Sequence, residues 1–136
     1  SSGGAITLSS LDWTDTKGVK DTLDSIFGGE GGIPGKPAFP WLILASDCTY
    51  DRSLHSDFIN TLAALRDHGS RRDPGRPGCH PCVLYMIHDP RDKETDDALW
   101  AAMHKAGLEF ELQDSHVFKA TVHPRAGDMF LVKVKL

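Results

Sequence analysis

Apolar residues recur along this chain at two spacings, one typical of strands and one typical of helices. Residues 41–46 (WLILAS) are almost continuously apolar, and they predict a central strand buried on both faces of a parallel sheet. Short or alternating apolar runs predict four more strands, at residues 5–11, 82–87, 108–112 and 129–136. The last two alternate regularly, so they predict an antiparallel pair at the end of this sequence.

Helices are predicted between the strands, because apolar residues there recur every three or four positions. The three apolar stripes are Val19, Leu23, Ile26 and Phe27; Leu54, Phe58, Ile59, Leu62 and Leu65; and Leu99, Trp100, Met103 and Ala106. Gly69 and Gly107 predict the ends of the second and third helices. Residues 28–40 and 69–81 are rich in glycine and proline and predict loops. This order predicts an α/β fold with a mostly parallel sheet and an antiparallel C-terminal strand.

Composition and charge restrict the class of protein. The 136 residues are 40% hydrophobic and 25% charged, which suits one globular unit. The net charge of −4 is distributed along the chain, so we expect no nucleic-acid partner. No apolar run approaches the roughly 20 residues that span a bilayer, and the first residues do not form a signal peptide. We therefore expect a soluble protein of the cytoplasm, with the nucleus as an alternative location.

Cysteine and histidine give little support for a metal site. Three cysteines do not make a disulfide framework and suit a reducing compartment. Cys79-His80-Pro81-Cys82 has the spacing of a redox pair or of half a zinc site, with His68 as a further ligand, but no second pair completes four ligands. We expect no metal and interpret the two cysteines as flanking a buried strand. Surface positions are predicted for His55, His68, His104, His116 and His123.

Two short motifs carry a resemblance to a known family. Leu11-Asp12-Trp13 follows the first predicted strand, and residues 43–51 (ILASDCTYD) join the central strand to the next helix. Together they resemble the class I, seven-strand S-adenosylmethionine-dependent methyltransferases that act on lysines of non-histone proteins. The tail is similar to that of the elongation-factor-2 lysine methyltransferases. The resemblance implies a Rossmann-like sheet, with residues 1–136 as the C-terminal part of one methyltransferase domain.

The resemblance also implies roles for individual residues. Asp12 and Trp13 would border the adenine of S-adenosylmethionine, and Ala45 would let this cofactor approach the backbone. Asp47 would contact the cofactor and, with Tyr50, line the channel for the acceptor lysine as a catalytic residue. Simpler interpretations stay open: Asp12 caps a helix, Trp13 and Ala45 are ordinary packing residues, and Asp47 caps the following helix, which Asp51 or Ser53 can also do.

The family's main cofactor motif is not found in this sequence. The resemblance implies a glycine-rich loop after a first strand and an acidic residue after a second, and neither precedes Ala5. We therefore expect the first two strands of the fold to be missing, so that this chain is a fragment, is completed by a partner, or is a non-catalytic interaction module. The expected partner is a protein substrate such as a translation factor or a chaperone. Methylation of arginine or of a small molecule is a further alternative.

Overall fold

The fold consists of three helices and a four-stranded sheet. The computed structural model describes residues 3–4, 6, 8–27, 42–70, 82–113 and 129–136. The helices are α1 (Thr16–Phe27), α2 (His55–Ser70) and α3 (Lys93–Lys105). The strands are β1 (Leu42–Ser46), β2 (Val83–His88), β3 (Glu109–Gln113) and β4 (Phe130–Lys135).

The sheet has the strand order β1-β2-β4-β3. β1 and β2 are parallel, whereas β4 is antiparallel to both β2 and β3 and lies between them. Val132 and Val134 of β4 are fully buried, as expected of a strand with neighbours on both sides. The predicted α/β fold and its antiparallel C-terminal strand are confirmed, but the predicted mostly parallel pairing is not, because only β1 with β2 is a parallel pair among the described strands.

One face of the sheet forms the core with α2 and α3. Leu84 and Met86 of β2 lie opposite Val134 and Val132 of β4, and all four are buried. The helices contribute the remaining apolar side chains of this cluster, chiefly Phe58, Ile59, Leu62, Leu99 and Met103. The predicted stripes of the second and third helices therefore do face the core.

The opposite face of the sheet is more open, and this corrects the prediction for residues 41–46. Leu42 and Leu44 of β1 are 36% and 73% exposed. In the described part of the chain β1 has only β2 beside it, and α2 and α3 cover the other face of the sheet. Among the described strands β1 therefore lies at the edge of the sheet, and the face that carries Leu42 and Leu44 is not buried.

The strand predicted at residues 5–11 is also wrong for the residues described there. Ile6 and Leu8 are 92% and 91% exposed and belong to no strand. The weak alternation of this segment meets no neighbouring strand in the described chain that could satisfy its backbone hydrogen bonds. The first helix begins soon afterwards, where Oδ1 of Asp15 accepts a 2.9 Å hydrogen bond from the N–H of Gly18.

The glycines at the predicted helix ends behave differently. Gly107 follows α3 with a φ of 71°, and the next residue, Leu108, donates its N–H to the carbonyl of Met103 at 3.1 Å. This is the expected glycine end of a helix. Gly69, by contrast, lies inside α2, so the predicted loop at 69–81 starts too early. Its remainder, 71–81, and the predicted loop at 28–40 lie outside the described residues.

Candidate functional site

The segment after β1 alternates between exposed and buried side chains. Asp47 is exposed, Thr49 is only 1% exposed, and Tyr50 is 54% exposed. The segment thus turns Asp47 and Tyr50 outwards while Thr49 is fixed in the interior. Asp47 and Tyr50, the predicted catalytic pair, share one short stretch at the carboxyl end of β1.

Asp51 is the residue that caps the following helical turn. Its Oδ1 accepts hydrogen bonds from the N–H of Ser53 at 2.8 Å and from the hydroxyl of Ser53 at 2.7 Å. These bonds, the hydroxyl first, hold the pKa of the Asp51 carboxyl below its usual range. Asp51 is the N-cap of the 3-10 turn at residues 52–54, which leads into α2. Asp47 is therefore not the cap of the following helix.

Asp47 has an unusual backbone conformation. Its φ of 56° is the only positive value among the described non-glycine residues. Aspartate tolerates the left-handed region better than most residues, but the conformation still has an energetic cost that surrounding contacts must offset. Asp47 is exposed, so burial does not oblige its carboxylate to pair with a cation.

A chain of buried hydrogen bonds lies directly beneath the segment. Oγ1 of Thr49 is 2.7 Å from Nδ1 of His88, and Nε2 of the same imidazole is 2.7 Å from Oδ1 of Asp96. His88 is fully buried at the end of β2, and Trp100 presents a ring edge to it at a centroid distance of 5.2 Å. The two hydrogen bonds and the aromatic contact fix the position of the imidazole.

A second histidine contacts the same threonine. Nε2 of His55 is 2.8 Å from the backbone carbonyl oxygen of Thr49, and His55 is 5% exposed. The carbonyl can only accept, so Nε2 of His55 carries the hydrogen. His68 is also buried, at 9%. The predicted surface positions of His55 and His68 are therefore wrong; His104 is exposed, and His116 and His123 lie outside the described residues.

Sequence reasoning did not find Thr49, His88 and Asp96 as a group. His88 and Thr49 are 39 positions apart, and their contact depends on the parallel pairing of β1 with β2. The available signal was modest: a histidine at the end of a buried strand, followed by a carboxylate in the first turn of the next helix. Such pairs occur in many proteins, so the contacts among Thr49, His88 and Asp96 become visible only in the folded structure.

Asp12 and Trp13 lie before α1. Oδ1 of Asp12 accepts hydrogen bonds from both the N–H and the hydroxyl of Thr14, at 2.9 and 2.7 Å, which lower the pKa of Asp12. The indole of Trp13 packs against Phe58 of α2 at a centroid distance of 5.1 Å. The helix-capping alternative for Asp12 does not hold, because Asp15 caps α1.

The predicted cofactor-binding residues are only partly brought together. Ala45 and Trp13 both pack against the buried core cluster, while Asp47 continues directly from β1. Within the described chain, no hydrogen bond, ion pair or ring contact joins Asp12 or Trp13 to Asp47 or Tyr50. The roles of these residues toward a cofactor remain predictions.

A separate groove of about 500 Å³ lies between α2 and α3. Its lining includes Arg52, His55, Ile59, Ala102 and Lys105. None of the predicted site residues lines it. The predicted site is therefore the exposed segment at the end of β1 and is distinct from this groove.

The described residues contain neither a metal-binding cluster nor a helix able to span a membrane. Across the described ranges, no group of three or more histidine, cysteine, aspartate or glutamate side chains is arranged to hold a metal ion. Cys79 and His80 lie outside those ranges. No helix in the described part of the chain has both the length and the apolar character needed to cross a bilayer.

No family model matches this chain, and no curated protein matches it. The functional argument therefore depends on the fold and on the geometry around Asp47, Thr49 and Tyr50.

Proposed function

We propose that this chain provides the acceptor side of a methyltransferase that transfers a methyl group from S-adenosylmethionine to a lysine of another protein. One observation carries the proposal: Asp47, in a left-handed backbone conformation, and Tyr50 are both exposed on one segment at the carboxyl end of β1. Ligands of open α/β sheets bind beyond the carboxyl ends of the strands. Residues 43–51 resemble lysine methyltransferases, and this resemblance is the reason for proposing that Asp47 and Tyr50 bind a lysine side chain.

The topology of the sheet supports the same proposal. β4 is inserted antiparallel between β2 and β3. The methyltransferase fold that the sequence resembles likewise has its last strand antiparallel to its neighbours. Because a fold alone does not determine a reaction, the proposal depends on the Asp47–Tyr50 segment more than on this likeness.

Asp47 and Tyr50 are suited to receive a lysine side chain. Lysine is an ammonium ion at neutral pH. The carboxylate of Asp47 attracts that charge, and the ring of Tyr50 offers an aromatic face on which a cation can lie. Both side chains are exposed, so a lysine presented by another protein can reach them. Their contribution is to bind and orient the side chain, which is the main requirement of an in-line displacement. The ammonium must first release a proton to the surrounding water, so that the neutral amine forms the bond to the methyl carbon as the bond from that carbon to sulfur breaks.

The residues present fit part of a cofactor site. S-adenosylmethionine, when bound, supplies a methyl group on a positively charged sulfonium. Both hydrogen bonds from Thr14 go to Oδ1 of Asp12, so Oδ2 is available to accept from an amine. Ala45 is small and half-buried at the end of β1. The exposed carboxylate of Asp47 complements a cation. The glycine-rich loop of the family has no counterpart before residue 5.

Calorimetric titration with S-adenosylmethionine tests the cofactor part of the proposal. The titration is made on this chain and on the chain preceded by whatever natural sequence is encoded before Ser1. We expect binding in at least one of the two. An absence of binding in both would contradict methyl transfer.

Radiolabelled S-adenosylmethionine and a fractionated protein extract test the transfer itself. We expect Asp47→Asn and Tyr50→Leu each to lower kcat/KM by about 10-fold or more, because each removes the charge or the aromatic face that orients the amine. Asp97→Asn and Tyr85→Leu are matched controls outside this segment and are expected to keep the activity; Asp97 is exposed on α3, and Tyr85 is half-buried on β2. Mass spectrometry then identifies the modified residue. A product on arginine or on a small molecule, or full activity in both site variants, would refute the proposal.

A further inference from the structure

The hydrogen bonds around His88 determine which ring nitrogen carries the hydrogen. The carboxylate of Asp96 accepts, so Nε2 of His88 donates across their 2.7 Å contact. The neutral imidazole then has a lone pair at Nδ1, and the hydroxyl of Thr49 donates to it across 2.7 Å. The three groups form an ordered chain in which Thr49 donates to His88 and His88 donates to Asp96.

The same chain of hydrogen bonds, from a hydroxyl to a histidine to an aspartate, occurs in enzymes that use a serine or threonine as nucleophile. Burial argues against such a role here. Thr49 is 1% exposed and His88 is 0% exposed, so a substrate carbonyl cannot approach the threonine oxygen in this conformation. The chain of hydrogen bonds therefore acts on the protein itself.

Thr49 is held at two points. His88 binds its side chain, and His55 binds its backbone carbonyl oxygen. Thr49 is two residues after Asp47, whose left-handed conformation needs support from surrounding contacts, and directly before Tyr50. Fixing Thr49 therefore fixes the short segment that turns Asp47 and Tyr50 to the surface.

We infer that His88 and Asp96 are positioning residues, which act through the Thr49 hydroxyl to hold Asp47 and Tyr50 in place for the acceptor amine. The purpose of this positioning rests on the proposed function. The positioning itself does not, because it can be observed in the protein without any substrate. Neither His88 nor Asp96 touches the reacting groups.

The first test is a nitrogen-15 NMR measurement on the wild-type ring of His88 at neutral pH. We expect Nε2 to be protonated and Nδ1 to be an unprotonated acceptor. A neutral ring with its hydrogen on Nδ1 would overturn the inference, because Nε2 could not then donate to Asp96. This outcome requires no variant, so it stands even if substitutions in the buried chain prevent folding.

The second test compares substitutions that keep or remove one hydrogen bond. Thr49→Val removes the hydroxyl at nearly constant size, and Thr49→Ser keeps it. His88→Gln keeps a donor for Asp96 but loses the acceptor for Thr49, whereas His88→Asn keeps that acceptor but loses the donor for Asp96. We expect the amide resonances of residues 47–50 to shift in Thr49→Val and His88→Gln, and to stay near their wild-type positions in Thr49→Ser. His88→Asn is expected to give smaller shifts, because Asp96 no longer holds the side chain in place. A folded Thr49→Val with unshifted resonances would overturn the inference.

Activity separates this inference from the proposed function. We expect Thr49→Val to lower kcat/KM for methyl transfer by about 10-fold, with Thr49→Ser restoring most of it. If no form of the protein transfers methyl groups but the resonances respond as expected, the proposed function fails and the positioning stands. If transfer is present and Thr49→Val retains it fully, the positioning fails and the proposed function stands.

Discussion

Nδ1 of His68 on α2 lies 3.5 Å from Oδ1 of Asp24 on α1, which joins the two helices by a polar contact. His68 is 9% exposed, so the contact is largely shielded from water. Together with the packing of Trp13 on Phe58, it attaches the N-terminal helix to the helix layer of the core. The side chain of His68 is therefore buried by α1, which sequence reasoning could not place beside it.

Replacement of Asp24 by alanine is expected to lower the free energy of unfolding by up to about 1 kcal/mol, because it removes the polar contact with the largely buried His68 ring together with the pair that Asp24 forms with Lys20. Urea denaturation followed by circular dichroism measures the change. Asp21→Ala on the same helix is the control: Asp21 pairs with the exposed Lys17, and such pairs contribute little. Equal effects of the two substitutions would contradict the importance of the Asp24 contact.

The edge position of β1 predicts unequal effects of two leucine substitutions. Leu84→Ala removes a side chain that is 1% exposed at the centre of the core, and we expect a loss of about 3 kcal/mol in unfolding free energy. Leu44→Ala, on the neighbouring strand, removes a side chain that is 73% exposed and is expected to change stability little. Urea midpoints measure both. A large loss in Leu44→Ala would show that this face of β1 is covered in solution.

Gly107 offers a test of the end of α3. Its φ of 71° is in the left-handed region, so we expect Gly107→Ala to cost about 1 kcal/mol of unfolding free energy. A β-carbon there would also meet Nη1 of Arg66 at 3.3 Å. Gly107→Asn is the comparison, because asparagine adopts this conformation more readily and is expected to lose less. The prediction fails if alanine is tolerated as well as asparagine.

The capping aspartates predict a loss of stability in acid. Asp92 accepts hydrogen bonds from the N–H and hydroxyl of Thr95 at the start of α3, and these lower the pKa of its carboxyl. A pKa that is lower in the folded state gives stability that is present above the ordinary carboxyl value, near 3.8, and is lost as the pH falls through the folded-state value. The same sign holds for Asp51.

Urea unfolding between pH 2 and pH 6 measures this dependence. In Asp92→Asn the acid loss is expected to be smaller than in the wild type, since asparagine has no carboxyl to protonate. At pH 6 the two proteins are expected to be similar, because asparagine also caps helices well. Identical slopes below pH 4 in both proteins would contradict a contribution from Asp92.

Local periodicity was enough to predict most of the described elements. The stripes of α2 and α3 and the alternation of β3 and β4 depend on neighbours within one or two turns or strands, so the sequence itself contains the pattern. The apolar run at 42–46 predicted a strand correctly. It could not predict that this strand lies at an edge, because burial depends on which other segments pack beside it.

The sequence predicted where the candidate site lies, but not which buried residues hold it in place. The motif at 43–51 located Asp47 and Tyr50 on one segment after β1. The contact of Thr49 with His88 spans 39 positions and exists only once β1 and β2 pair. The exposure of Asp47 could not be predicted either, because it depends on how the segment turns after β1, with Cys48 and Thr49 packed inwards.

The central place of β4 has a consequence for the order of folding. Leu84 and Met86 of β2 meet Val134 and Val132, which follow them in the chain by about 50 positions (134 − 84). β2 and β3 leave the ribosome first, yet they cannot join until β4 fits between them. During synthesis the edge of β2 that β4 later occupies therefore stays unpaired, and such an edge can pair wrongly with other chains. Pairing between strands so distant in the sequence also slows folding, so the sheet is completed only after β4 has been made.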